Sequence, residues 1–221
     1  MIGNDVVDLR DPETLPGARH PRFDARVFAA AERSALERSG ARDRLRWILW
    51  AAKESAFKVA RRRDPDTAFA PVRFVVDLDA SLCGRVRHAD REYPVRVAVT
   101  GDCVHAVAME PPVAGAEHAG VAVCAAEGDV GVSPPGRAAR DLAAEGIAPI
   151  LGVERADLRF ARRGRVPELQ LDPALRRGWD PARRGPVEAR LGRLAVSLSH
   201  HGRFVAYACW LPKSGPGEKR S

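Results

Sequence analysis

Glu54 and Lys58 are the residues whose types and spacing most directly suggest chemistry in this sequence. They lie in residues 43–63, whose apolar periodicity predicts a helix, and a four-residue step leaves both side chains on one helical face. A surface ion pair on an amphipathic helix is the simplest interpretation, but aromatic neighbours make this face unlike a plain solvated one. Within about sixty degrees of Glu54 lie Trp47, Trp50, Phe57 and Arg61. The opposite, core face carries Leu45, Ile48, Leu49, Ala52, Ala56 and Val59.

A second carboxylate, Asp5, follows Gly3 and Asn4 in residues 2–9, an apolar run that predicts a short buried strand. A buried carboxylate needs a partner or a metal ion, because its removal from water is costly. Asp5 would alternatively cap a turn, and the residues alone leave both interpretations open.

The length and composition limit the class of protein. A chain of 221 residues, 45% hydrophobic and 29% charged, is typical of a globular protein with one large or two small domains. No apolar run approaches the roughly twenty residues of a membrane helix, and we expect no secretory signal. The four cysteines have neither metal-ligand nor redox spacing, which favours a reduced, cytoplasmic protein.

The net charge of +7 and the isoelectric point near 9.8 indicate an anionic partner. Nucleic acid, a phosphorylated small molecule and an acidic protein all satisfy this condition. Aromatic residues make up only 6% of the chain, and they are not interleaved with basic residues as in a base-stacking platform.

The sequence predicts an α+β fold of two similar α/β halves that form an internal pseudo-dimer, each a small, mostly antiparallel sheet packed against a helix. Two sets of repeated residues support this prediction. Asp77-Leu78 and Gly84-Arg85-Val86 recur 80 positions later, and Val95, Gly101, Val104 and Pro111 recur 101 positions later, as Val196, Gly202, Val205 and Pro212. The predicted segments are a first half (1–112), a linker (113–120), a second half (121–212) and a disordered tail (213–221).

The strand with Asp5, the helix with Glu54 and Lys58, and two motifs of the second half together resemble the 4′-phosphopantetheinyl transferase superfamily. The family's Gly-x-Asp strand matches Gly3-Asn4-Asp5, and its Trp/Phe-x-x-Lys-Glu-x-x-x-Lys helix matches residues 50–58, from Trp50 to Lys58. The Ser-x-Ser-His-x-Gly strand matches Ser197–Gly202, and the Gly-Lys-Pro segment is similar to Gly164–Pro167, with Arg in place of Lys. Each match alone is weak, but the ordered set touches both halves and is specific.

The resemblance implies a Mg²⁺-dependent, cytoplasmic enzyme that moves phosphopantetheine from coenzyme A to a serine of an acidic acyl or peptidyl carrier protein in fatty-acid, polyketide or nonribosomal peptide biosynthesis. It implies Asp5 and Glu54 as metal ligands and Lys58 as a cation for the pyrophosphate, these three forming the catalytic set. The implied contacts to coenzyme A, besides Lys58, are Lys53, Ser199, His200, Arg165, Arg137 and Arg140. Without the motif, a His at the end of an apolar strand is more often structural.

The chain departs from the family in two ways. In the long, two-half members the Ser-His half usually comes first, whereas here it comes second, so the halves are in permuted order. Long members also carry an acid two positions after the metal Asp, where this chain has Val7, which leaves the third metal ligand open.

Three questions stay open at this stage: the carrier protein, the general base, and whether acylated coenzyme A is accepted. A monomer is the expectation, because two internal halves already make a pseudo-dimer. The competing interpretations are a catalytically inactive protein of the same fold that binds coenzyme A or a carrier protein, and a basic protein that binds nucleic acid.

Overall fold

The structure is a computed structural model and describes residues 1–110, 121–127, 134–163, 166–176 and 179–212. The strands are β1 (Ile2–Asp8), β2 (Val75–Leu78), β3 (Cys83–His88), β4 (Arg91–Thr100), β5 (Cys103–Met109), β6 (Val121–Glu127), β7 (Leu158–Arg163), β8 (Val166–Leu171), β9 (Ala195–His201) and β10 (Phe204–Trp210). The helices are α1 (Phe23–Val27), α2 (Ala30–Arg38), α3 (Arg42–Arg63), α4 (Pro135–Leu151), α5 (Pro173–Arg176) and α6 (Pro181–Arg193).

The first half is an antiparallel sheet in the order β1-β5-β4-β3-β2, with α3 packed across one face. The predicted helix of residues 43–63 is confirmed almost to its ends. Its aromatic side is buried as well as its aliphatic side: Trp47 and Phe57 are each 7% exposed. The rings of Phe23, Phe69 and Phe74 pack against that side and account for the burial.

The second half contains a three-stranded sheet, β6-β10-β9, and a separate hairpin, β7–β8, within the described residues. Helix α4 packs on β9 and β10, and a core of Ala, Ile, Leu and Val side chains lies between them. The segment 172–193, which separates β8 from β9, forms α5 and α6, and Val187 of α6 is buried. The α+β class with antiparallel sheets is therefore confirmed.

Of the two repeats detected in the sequence, only the one with an offset of 101 positions aligns corresponding elements of the structure. The β4–β5 and β9–β10 hairpins lie 101 positions apart, and Gly101 and Gly202 both turn the chain with positive φ, 57° and 52°. The offset of 80 does not align equivalent positions, because Leu78 ends β2 whereas Leu158 begins β7. The two hairpins also differ in pairing, because Leu78 lies opposite Gly84 whereas Leu158 lies opposite Leu171.

Some predictions concern residues outside the described part of the chain. The linker at 113–120 and the tail at 213–221 both lie there, as does Arg165. Within the described residues, no helix combines the length and the apolar composition that would let it cross a membrane.

The two halves meet where β1 packs against β9 and β10. Asp8, at the end of β1, is 1% exposed and accepts hydrogen bonds from Arg203 Nε and Nη2, both at 2.8 Å. It also accepts the backbone N–H groups of Arg203 (3.0 Å) and Arg10 (2.9 Å). The guanidinium of Arg203 holds the pKa of Asp8 well below its usual range. Asp8 therefore joins the halves through one carboxylate.

We expect Asp8→Ala to lower the free energy of unfolding by about 2 kcal/mol, because two backbone N–H groups and the guanidinium lose their acceptor. Arg203 is 36% exposed, so water compensates part of the loss. Urea denaturation at pH 7 measures the effect. Asp102→Ala is the matched control, since Asp102 contacts the same guanidinium at 3.6 Å on the surface, and it should cost less than about 1 kcal/mol. Equal losses in the two variants would contradict the assignment.

Candidate functional site

Asp5 and Lys58 meet where β1 crosses α3. Lys58 Nζ donates to Asp5 Oδ1 at 2.8 Å and to the backbone oxygen of Asn4 at 2.8 Å. The two side chains are 25% and 15% exposed, so they lie at an edge that water reaches. Among the described residues Lys58 forms no salt bridge with Glu54, so the surface-pair interpretation of these two helical residues is wrong. The lysine is turned towards the strand instead.

Glu54 lies half-buried beside this pair without a salt bridge to any described residue. Burial, followed by the negative charge of Asp5, raises the pKa of Glu54 to about 7, against the positive charges of Lys58 and Arg61. A group with this pKa changes its charge near neutral pH. Glu54 thus lies within electrostatic reach of Asp5, Lys58 and Arg61, while the ammonium of Lys58 is paired with Asp5.

His200 approaches the same place from the second half. It is exposed on β9, and partial burial, followed by the positive charge of Lys58, lowers its pKa, while Asp5 opposes the shift. The structure therefore brings together Asp5, Glu54 and Lys58 of one half and His200 of the other.

Ser199, the neighbour of His200, points the other way because successive strand residues face opposite sides. It is 6% exposed, and its Oγ accepts a hydrogen bond from Asn4 Nδ2 at 2.9 Å. The prediction that Ser199 contacts coenzyme A beside His200 is thus not supported by the position of its hydroxyl, which lies in the contact between the halves.

Asn4 is a residue of this junction that the sequence analysis missed. It is fully buried, its Nδ2 also lies 3.1 Å from His105 Nε2, and its backbone N–H donates to Ser197 Oγ at 3.0 Å. Burial lowers the pKa of His105 to about 4, so the ring is neutral. A signal was present: an amide in an apolar strand and serines at alternate positions of another strand are typical of a buried polar contact.

Lys53 lies in the core and not at the cleft. Its Nζ is fully buried and donates to Glu32 Oε2 at 2.8 Å, to the Pro71 oxygen at 3.1 Å and to the Phe74 oxygen. The sequence left open whether Lys53 contacts a phosphate or a carboxylate, and the structure shows a carboxylate contact, to Glu32, in the core. One residue is 100° on a helix, and this step carries Lys53 from the edge of the site to the side that faces α2.

Two predicted arginines lie in the first two turns of α4. Arg137 is exposed and lies 3.8 Å from Asp141, while Arg140 is half-buried and has no carboxylate partner among the described residues. Arg140 is therefore the better placed of the two to meet an anion.

Arg61 is a further cation that the sequence analysis left without a role. Its guanidinium stacks over the Phe57 ring at 4.9 Å, forms no salt bridge within the described residues, and contributes positive charge at Glu54. The aromatic side of α3 thus holds a basic group beside the carboxylates.

Asp5 and Glu54 are the carboxylates that fit a divalent cation at this site. Burial and, after it, the negative charge of Asp5 disfavour a second charge on Glu54, and Lys58 and Arg61 oppose this effect only in part. Hard oxygen donors suit Mg²⁺, which commonly takes one or two carboxylates and fills its other positions with phosphate and water. Val7 is buried, and Asp8 is bound to Arg203 on the opposite face of β1, so neither adds a ligand.

A second group of possible ligands lies elsewhere, at Asp11, Glu13 and His201, whose ligand atoms are within 4.8 Å of one another. The Nδ1 atom of His201 accepts the backbone N–H of Asp8 at 3.2 Å, which places the proton of the neutral ring on Nε2. A protonated Nε2 can donate a hydrogen bond to the neighbouring carboxylates, but it has no free lone pair with which to bind a metal ion.

The family model of the 4′-phosphopantetheinyl transferase superfamily matches residues 1–108. The match contains Asp5, Glu54 and Lys58 and ends before β6, so the half that carries His200 lies outside it. No curated protein and no solved structure matches the chain.

The different surroundings of Lys53 and Lys58 predict different effects of the same substitution. Lys53→Met should lower the free energy of unfolding by about 3 kcal/mol or more, because it leaves the Glu32 carboxylate buried without its cation. Lys58→Met should cost about 1 kcal/mol, because water still reaches Asp5 and Glu54. Chemical denaturation of both variants measures the difference. A larger loss of stability for Lys58→Met than for Lys53→Met would contradict the placement of Lys53 in the core and of Lys58 at an edge that water reaches.

Proposed function

The first half of this chain, residues 1–108, belongs to the 4′-phosphopantetheinyl transferase superfamily, and from that premise we propose that the protein is a holo-[acyl-carrier-protein] synthase. It transfers 4′-phosphopantetheine from coenzyme A to a serine hydroxyl of an acyl or peptidyl carrier protein, with Mg²⁺, and releases adenosine 3′,5′-bisphosphate. The observation that carries this proposal is the meeting of Asp5, Glu54 and Lys58 with His200 across the junction of the halves.

The reaction is an attack of the serine oxygen on a pyrophosphate phosphorus, and its barrier lies in charge repulsion and alignment. Lys58 lies at the edge of the site and is proposed to bind a pyrophosphate oxygen. Asp5 and Glu54 would hold Mg²⁺, which supplies further positive charge to the phosphates. The group that accepts the serine proton is proposed to be Glu54, a metal-bound water or another carboxylate.

The second half is proposed to bind the other end of coenzyme A. His200 and Arg140 are exposed or half-buried groups without carboxylate partners among the described residues, which suits a 3′-phosphate. Arg137, already near Asp141, is a weaker candidate. Arg165 stays a prediction from the motif alone.

We infer that the halves form an internal pseudo-dimer, which is why a monomer is proposed. The equivalent hairpins β4–β5 and β9–β10 support this inference, as does the order of elements in each half: a strand, a long helix and two hairpins. The active site then lies between unlike halves, one with the carboxylates and one with the phosphate-binding histidine.

An acidic carrier protein is proposed to dock on basic residues at the start of α3. Arg44 is exposed, and Arg42 is half exposed beside Asp24. Arg46 is excluded from this surface, because it is 4% exposed and its Nε donates to Asp24 at 2.7 Å. Exposed arginines of this kind would raise the association rate with an acidic partner.

The raised pKa of Glu54 predicts that Mg²⁺ binding depends on pH. Cation binding needs the deprotonated carboxylate, so below pH 7 the apparent affinity should fall by up to about tenfold per pH unit and level off above it. Calorimetric titration at pH 6, 7 and 8.5 measures this dependence. Glu54→Gln should weaken binding at every pH and flatten the profile. An affinity for the wild-type protein that is constant over this range would contradict the metal site.

The activity is tested by intact-protein mass spectrometry of apo carrier proteins incubated with the chain, coenzyme A and Mg²⁺. We expect a mass gain of one phosphopantetheine that disappears with a chelator and slows by on the order of a hundredfold or more in Glu54→Gln. Glu37→Gln is the matched control, since Glu37 is an exposed glutamate of α2 away from the site.

The carriers should include fatty-acid, polyketide and peptidyl types. If none gains mass, the transferase proposal fails, and a coenzyme A titration then separates an inactive binder of coenzyme A from a different function. Salt-dependent retention of nucleic acid without affinity for coenzyme A would favour a nucleic-acid-binding protein.

A further inference from the structure

Arg62 is a cation that the proposed reaction does not use. It lies one helical turn after Lys58, and its guanidinium reaches from α3 into the second half, where Nη2 donates to the backbone oxygen of Val196. Burial lowers the pKa of Arg62 to about 10, and no carboxylate among the described residues pairs with it. Its neighbour Arg63, by contrast, pairs with Glu110.

The guanidinium of Arg62 faces a cleft of about 440 Å³ between α3 and the elements β8, α6 and β9. This volume lies in the range of small-molecule sites. The apolar part of its walls is formed by the side chains of Val166, Pro167, Leu169, Leu191, Leu194 and Val196, and polar atoms form the rest. A partly desolvated cation thus lies beside an aliphatic wall of the cleft.

Most of the donor capacity of Arg62 is unused. A guanidinium has five N–H groups, of which the Val196 oxygen takes one. Within the described residues, no nitrogen of Arg62 is both buried and without a partner, and Arg62 is one of the residues that line the cleft. A planar guanidinium with two parallel N–H groups matches a carboxylate, which it binds in a bidentate manner.

We propose that this cleft binds an aliphatic monocarboxylate, with its carboxylate on Arg62 and its chain between β8 and α6. Among the lining residues that the structure describes, Arg62 is the one cation and Glu168 adds a negative charge, so a singly charged anion fits better than a doubly charged phosphate. The same described residues include no aromatic ring on which a nucleobase would stack.

The cleft lies away from Glu54 and His200, and the part of its wall formed by Val166 and Pro167 adjoins the predicted coenzyme A contact Arg165 in the sequence. Arg62 lies eight residues after Glu54, or about 12 Å along α3, and Val196 lies four residues before His200, or about 13 Å along β9. A ligand in the cleft contacts α3 together with three elements of the second half. It would therefore strengthen the contact between the elements that carry Lys58 and His200.

Calorimetry with octanoate as the probe tests the proposal on the whole chain. We expect saturable binding to the wild type, at least tenfold weaker binding to Arg62→Gln, and wild-type affinity in Arg63→Gln, the matched loss of one positive charge next to the cleft. 1-Octanol, which lacks the charge, should bind at least tenfold more weakly than octanoate. Absence of octanoate binding to the wild type, or equal affinity in Arg62→Gln, would overturn the proposal.

A second pair of variants tests the cleft without removing the charge. A Cβ at Gly192 of α6 meets no atom within 4 Å, so a side chain there has room to extend into the cleft. Gly192→Leu should abolish octanoate binding and keep the fold, whereas Gly192→Ala, which gives the same helical benefit, should bind octanoate within about threefold of the wild type. Unchanged binding in Gly192→Leu, or one-to-one competition between octanoate and coenzyme A, would overturn a separate carboxylate site.

Discussion

The close approach of β1 to α3 is the constraint on which the candidate site depends. A Cβ at residue 3 would overlap the backbone oxygen of Ser55, so only glycine lets the strand lie directly on the helix. This contact brings Asp5 within 2.8 Å of Lys58 and within electrostatic reach of Glu54. Any larger residue at position 3 would push the strand outwards and separate the carboxylates, even with every charged side chain retained.

The contact between the halves combines an apolar cluster of Val6, Cys103, Phe204 and Ala206 with buried polar groups. Asn4, His105 and Ser199 form a buried group between β1 and the strands beside it, and Asp8 binds Arg203 at one end. Hydrogen bonds hold one register, whereas apolar side chains tolerate sliding. Because His200 and Asp5 come from different halves, a shift of one residue along β1 would change their relation by a full strand step of about 3.4 Å.

Much of the site could be predicted from the sequence, because α3 obeys simple helical periodicity and the motif residues have distinctive types. The sequence does not specify in which direction a side chain points from its element. Lys53 and Ser199 each adjoin a site residue, but they face α2 and the first half respectively. The sequence also missed Asn4 and Arg62, whose partners are backbone atoms or side chains more than a hundred residues away. Of the repeats, only the tight hairpins with Gly101 and Gly202 keep one register, because their turns fix the strand pairing.

Between Glu54 and Arg62, helix α3 carries three cations, Lys58, Arg61 and Arg62, that differ in their surroundings and in their partners. Lys58 pairs with Asp5 at an edge that water reaches, and the guanidinium of Arg61 stacks on the ring of Phe57. Arg62 reaches the second half, where its partner among the described residues is the backbone oxygen of Val196. Desolvation without a counter-ion is unfavourable, and a lysine at this position would shed its proton more readily than arginine does. An arginine at position 62 therefore keeps its charge where the surroundings disfavour it, and that retained charge is what makes the cleft selective for an anion.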